Sequence, residues 1–211
     1  GIHIELEKHI PIAAGMAGGS ADAAAVMRGM NILFGLNAPL SQLMEYAVPI
    51  GADVPYCLMG GTALAEGIGE KLTPLPSIPD CRILVAKPDI MVSTKHVYQQ
   101  LDAHRYHHPD IDGMTEAIKA GDLAGILERL ENVLETVTIP AYPVIARIKE
   151  KMLELGAAAS LMSGSGPTVF GIFPPEQTQT AHTALEQFQH EPMAKQVFLV
   201  QCVNHSSHTP I

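Results

Sequence analysis

The chain has no tryptophan, and aromatic residues fill only 5% of its 211 positions, so aliphatic side chains must build its core. Its three cysteines, Cys57, Cys81 and Cys202, are scattered and odd in number. They match neither a zinc-ligand spacing nor a disulfide framework, which fits a reducing, cytoplasmic setting. Basic residues are scarce: 13 Lys+Arg against 22 Asp+Glu leave a formal net charge of −9. Binding nucleic acid requires a basic face, so that class of partner is excluded. An anionic small molecule would have to be held locally, against the overall field. No apolar run approaches membrane-spanning length, and Glu5, Glu7 and Lys8 interrupt the N-terminal apolar residues, so neither a membrane protein nor a secretory signal is expected.

Apolar residues make up 47% of the chain, enough for one large domain or two small ones. Ten histidines raise the question of a metal. The tightest group, His104-Arg-Tyr-His107-His108-Pro109, reads as a solvated loop, and no metal ligands are assigned. The tail from Asn204 to Ile211 reads as a frayed terminus.

The most informative run is Pro11-Ile12-Ala13-Ala14-Gly15-Met16-Ala17-Gly18-Gly19-Ser20-Ala21, which leads into an alanine-rich helical stretch. It follows Ile2–Lys8, whose alternation predicts a strand. A helix start offers unpaired N–H groups and the positive end of the dipole, which suit an anion. Gly15, Gly18 and Gly19 let backbone approach phosphate oxygens closely. No Lys or Arg lies between Lys8 and Arg28, so backbone amides and a metal ion would supply most of the attraction. The run lacks both the Gly-Lys-Ser/Thr of a P-loop and the GxGxxG of a dinucleotide fold. A tight helix–strand packing turn would use the same small residues.

Three blocks together resemble the GHMP kinases, which include galactokinase, homoserine kinase and mevalonate kinase. They are the loop above, then Gly51-Ala-Asp53-Val-Pro-Tyr-Cys57 with Gly60-Gly-Thr-Ala63, then Met162-Ser-Gly164-Ser165-Gly166-Pro-Thr-Val-Phe170. Their form is nearest the branch of that family acting on a cytidine-diphospho-methylerythritol intermediate of the non-mevalonate isoprenoid pathway. Homoserine kinase is the alternative within the fold, and a non-catalytic nucleotide-binding remnant the alternative outside catalysis. The resemblance implies an α+β chain. An incomplete N-terminal domain like ribosomal protein S5 domain 2 would span residues 1–79, and a ferredoxin-like C-terminal domain residues 80–211, with the site between them. It implies ATP as co-substrate with Mg²⁺, its phosphates wrapped by Pro11 to Ala21.

The resemblance also assigns roles residue by residue. Asp53 would take the proton from the acceptor hydroxyl; as an isolated residue it reads first as a turn former. Gly164, Ser165 and Gly166 would close the site from the second domain, or simply turn a hairpin. Thr94 and Tyr98 would lie along the substrate, Tyr98 against the cytosine ring or else anchoring its helix. Ser20 would offer a hydroxyl to phosphate or metal, or cap the following helix. Asp22 reads as a first-turn carboxylate favoured by the helix dipole. The loop carries Ala13 and Ala17 where the family commonly has glycine, and Ala21 where it commonly has serine. The family's first motif, with a lysine and an asparagine, does not precede Ile2 here. The expectation is therefore a member without its N-terminal portion, with an under-packed first domain, an unpaired sheet edge and weak activity alone.

Along the chain the pattern predicts a helix over 21–34 ended by Gly35, then one capped by Ser41 and stopped by Pro49. A hairpin is expected around Gly67-Ile-Gly69, and Pro74, Pro76 and Pro79 mark a domain boundary. Next come a strand at 82–87, helices at 94–101, 114–120, 123–137 and 143–155, strands at 159–162 and 168–173, a helix at 176–189 and a strand at 196–203. That alternation suits a split βαβ sandwich.

Overall fold

The computed structural model describes residues 1–101 and 107–203. The tail from Asn204 and the segment 102–106, including His104, lie outside the described residues.

Ile2–Lys8 forms no strand, contrary to its alternation. A strand is stabilised by a hydrogen-bonded neighbour and a covered face, and this segment has neither among the described residues. Ile2, Ile4 and Leu6 are exposed. Helix α1, Gly18–Leu33, begins three residues earlier than predicted, because Ala17 takes a left-handed conformation (φ 50°) and launches the helix at the first of two glycines. Two short helices follow, α2 at Leu40–Ala47 and α3 at Val54–Met59. Ser41 does not cap α2; Pro39 occupies that position and makes no side-chain cap. The three helices meet through Ala23, Ala24 and Met27 of α1, Leu43, Met44 and Ala47 of α2, and Val54, Cys57 and Leu58 of α3. Alanine at the contact lets the axes approach closely. The Arg28 guanidinium donates to the Leu58 carbonyl, satisfying an acceptor at the end of α3. The opposite side of α1, with Ile32 and Leu33, is apolar and exposed.

Strands β1 (Thr62–Glu66) and β2 (Lys71–Leu75) form the expected antiparallel hairpin. The proline-rich stretch beyond it is anchored, since Leu75 and Ile78 pack on Met114, Ala117, Ile118 and Ile126. Those partners belong to helices α5 (Ile111–Ala120) and α6 (Leu123–Glu128), which follow α4 (Thr94–Gln100). The single helix expected over 123–137 is broken after Glu128 and resumes as α7, Glu135–Ala141. Asn132 lies in the gap, and its side-chain oxygen accepts from the Leu134 N–H at 3.0 Å. This side-chain alternative to helical bonding is typical of asparagine.

The rest follows the pattern closely. Strand β3 is Arg82–Lys87, helix α8 Val144–Glu154, strand β4 Ala159–Met162, strand β5 Val169–Phe173, helix α9 Thr178–Gln189 and strand β6 Gln196–Gln201. The four strands make one antiparallel sheet in the order β4-β5-β3-β6. With α8 and α9 on one face this is the ferredoxin-like arrangement. Ile145, Ile148 and Met152 of α8, and Ala181, Ala184 and Phe188 of α9, recur at helical spacing and bury against Leu84, Ala86, Val169 and Phe173.

Candidate active site

A cleft of about 990 Å³ runs between the first helices and the sheet domain. Its wall includes every residue from Pro11 to Gly19, together with Asp53, Thr94, Tyr98, Gly164 and Ser165. Residues far apart in sequence thus share one space. Ser20, Ala21 and Gly166 are not on that wall.

The glycine-rich loop is held in shape by three left-handed residues, Ala13 (φ 51°), Gly15 (φ 69°) and Ala17 (φ 50°). Two of these are alanines, for which that conformation costs about 1–2 kcal/mol each. The first helical bond of α1 runs from the Ala21 N–H to the Ala17 carbonyl at 2.9 Å. Ala17 gives no side-chain cap among the described residues, and the N–H groups of Gly18, Gly19 and Ser20, in the first turn, have no intrahelical acceptor. That corrects the reading of Ser20 as cap: it lies in the first turn. Asp22 sits beyond the first turn, and Lys8 claims its carboxylate. Lys8 Nζ also donates to the Gly18 carbonyl oxygen at 2.8 Å, fixing the segment before the loop to the helix start.

The two glycine loops touch. Ser163 Oγ donates to the Gly15 carbonyl oxygen at 2.8 Å. A Cβ on Gly15 would overlap the Ser163 carbonyl oxygen and stand 2.9 Å from that of Gly166, so the contact demands glycine. By contrast, a Cβ on Gly19 would meet no atom within 4 Å; beside the free N–H groups there is room for a ligand. From below, Asn132 Nδ2 donates to the carbonyl oxygens of Met162 and Gly164, both at 2.8 Å. The hydroxyls of Thr94 and Ser165 lie 2.8 Å apart, tying α4 to the second loop. Gly166 has φ 82°, and a Cβ there would stand 2.6 Å from Met162 Sδ, away from the cleft wall.

Asp53 is the residue before α3, whose first residues are Val54 and Pro55. Its carbonyl accepts from the Cys57 N–H at 3.0 Å, while its side chain makes no cap and is exposed on the cleft wall. The carboxylate makes no hydrogen bond or ion pair among the described residues, which leaves it open to a ligand. Tyr98 is also exposed there. No group of three His, Cys, Asp or Glu among the described residues has the geometry to hold a metal ion.

Residues 1–61 match the model of the GHMP kinases N terminal domain, and residues 114–191 that of the GHMP kinases C terminal domain. A protein of Lachnospira eligens named 4-diphosphocytidyl-2-C-methyl-D-erythritol kinase is 63% identical over 182 residues, covering 86% of this chain and 63% of the relative. One of the same name from Lachnoclostridium phytofermentans is 52% identical over 202 residues, covering 95% of this chain and 69% of the relative. The chain belongs to the GHMP kinase family. A crystal structure of 4-(cytidine 5'-diphospho)-2C-methyl-D-erythritol kinase superposes with a TM-score of 0.76 at 30% identity, over 92% of this chain and 68% of that one. The GHMP kinase chain described here therefore spans about two thirds of the length of these relatives.

Leu6, Lys8, Tyr56 and Ser163 also line the cleft of this GHMP kinase, and sequence reasoning gave them no part in it. Tyr56 donates its hydroxyl to the Gly61 carbonyl oxygen at 2.8 Å, linking α3 to the glycine pair before β1. A lysine ten residues before Gly18 carries no local signal of proximity; only the turn of the chain at Pro11 brings it back.

Proposed function

We propose that this chain phosphorylates the 2-hydroxyl of 4-diphosphocytidyl-2-C-methyl-D-erythritol with ATP, a step of non-mevalonate isoprenoid synthesis. The observation that carries the reading is the single cleft shared by the Pro11–Gly19 loop, Asp53, Thr94, Tyr98 and Gly164-Ser165. In this reading residues 1–79 hold the nucleotide and 80–211 close over it. The N–H groups of Gly18, Gly19 and Ser20 donate to phosphate oxygens, with the positive end of α1 behind them. When bound with the nucleotide, Mg²⁺ would supply neutralisation of the phosphate charge. Thr94 and Tyr98 orient the cytidine end, and Asp53 accepts the proton of the attacking hydroxyl. No helix of the described residues is long and apolar enough to cross a membrane, and we place the chain in the cytoplasm.

The test is an ADP-release assay coupled to an optical readout, comparing the cytidine-diphospho compound with homoserine as acceptor. Release only with the former is expected. Asp53→Asn keeps the shape and removes the base, so kcat should fall about 10²-fold or more with KM little changed. Turnover with homoserine alone, or an unaltered kcat in a folded Asp53→Asn variant, overturns the assignment.

A further inference from the structure

Two of the three free thiols meet at the end of the central ladder. The β3–β6 register pairs Arg82 with Gln201, so the next residues outward, Cys81 and Cys202, stand opposite each other on antiparallel strands. Residues so opposed lie about 4.5–5.5 Å apart at Cα, within the roughly 4.4–6.8 Å that a disulfide spans. Both side chains leave the same face of the sheet. Arg82 Nη1 donates to Gln201 Oε1 at 3.0 Å, which pins the register at this end. The neighbouring Cys81 thiol holds the Cys202 thiol pKa below its ordinary value, while Cys202 and burial push that of Cys81 up. Cys81 is buried at 2% exposure, whereas Cys202 is half-buried. Cys57, the third thiol, lies on α3.

We infer that Cys81 and Cys202 are a modification site, oxidised by a low-molecular-weight disulfide to an intramolecular bond that ties the end of β6 to the start of β3. The accessible Cys202 thiolate attacks one sulfur of the oxidant, forming a mixed disulfide and releasing one thiol. The Cys81 sulfur, its proton passing to solvent, then attacks Cys202, forming the protein disulfide and releasing the second thiol. Two protein thiols are oxidised and one small disulfide is reduced to two thiols. The scattered cysteine spacing concealed this pair because it depends on the register between the two strands.

The experiment treats the chain with oxidised glutathione, alkylates the remaining thiols in acid and maps the peptides by mass spectrometry. The expected product joins the Cys81 and Cys202 peptides, retains no glutathione, leaves Cys57 alkylated, and is reversed by dithiothreitol. In Cys81→Ser, glutathione should stay on Cys202, because the resolving thiol is gone. Glutathione retained on wild-type Cys202, a bond through Cys57, a disulfide-linked dimer, or three unmodified thiols would each overturn the inference. Should Cys81→Ser fail to fold, the wild-type map decides alone.

Discussion

Replacing Gly15 by alanine should uncouple the two halves of the cleft. The added methyl group would need the left-handed conformation at φ 69° and would collide with the Ser163 and Gly166 backbone. The conformation costs about 1–2 kcal/mol, and losing the Ser163–Gly15 hydrogen bond about 0.5–1.5 kcal/mol. Together they predict about 2–3 kcal/mol, or a melting temperature lower by roughly 5–10 °C for a chain of this size. To restore ordinary contact distance the second loop must retreat by about 1 Å. A displacement of that size at a reacting site costs about 10²-fold in turnover. Gly19→Ala is the control: its methyl meets no atom within 4 Å and helix propensity improves by about 1 kcal/mol, so its melting temperature should not fall. Calorimetry with ATP and thermal melting on both variants provide the measurements. A Gly15→Ala protein that melts and binds ATP like wild type would refute the proposed contact between the loops.

Ala17→Gly and Ala13→Gly should each stabilise the chain by about 0.5–1 kcal/mol in urea melts, because relief of the left-handed strain exceeds glycine's extra unfolded-state freedom. Asn132→Ala strips two donors from the second loop and should cost about 1–3 kcal/mol, read by thermal melting. Chelating Mg²⁺ should abolish ADP release yet leave the melting temperature of the nucleotide-free chain unchanged, as expected for a metal that enters with its nucleotide.

Local chemistry made much of the second domain legible. The apolar run 82–87 and the amphipathic stretch closed by Gly156 place β3 and α8 within a residue or so, because burial pattern and stop signal agree. Ile2–Lys8 has a strand's alternation without a strand's neighbour, so the pattern misleads. The start of α1 depends on a backbone angle at Ala17 that its side chain does not announce. The site divides in the same way. Its loops and Asp53 carry local motifs, while Lys8 and Tyr56 enter through contacts that no short window contains.

The order β4-β5-β3-β6 puts one of the earliest strands of the second domain at the centre and the last one beside it. During synthesis β3 leaves the ribosome long before β6, and until then one of its edges has no partner. β5 and the two packing helices, α8 and α9, can assemble first, but the sheet stays open on that side. Folding of this domain is therefore governed by a contact of long sequence separation, which is slow to form. The waiting edge is a place where nascent chains can pair with one another. A chain folded up to α9 but still lacking β6 would hold an almost complete hydrophobic layer with its middle strand uncovered, and at that stage a chaperone would matter most.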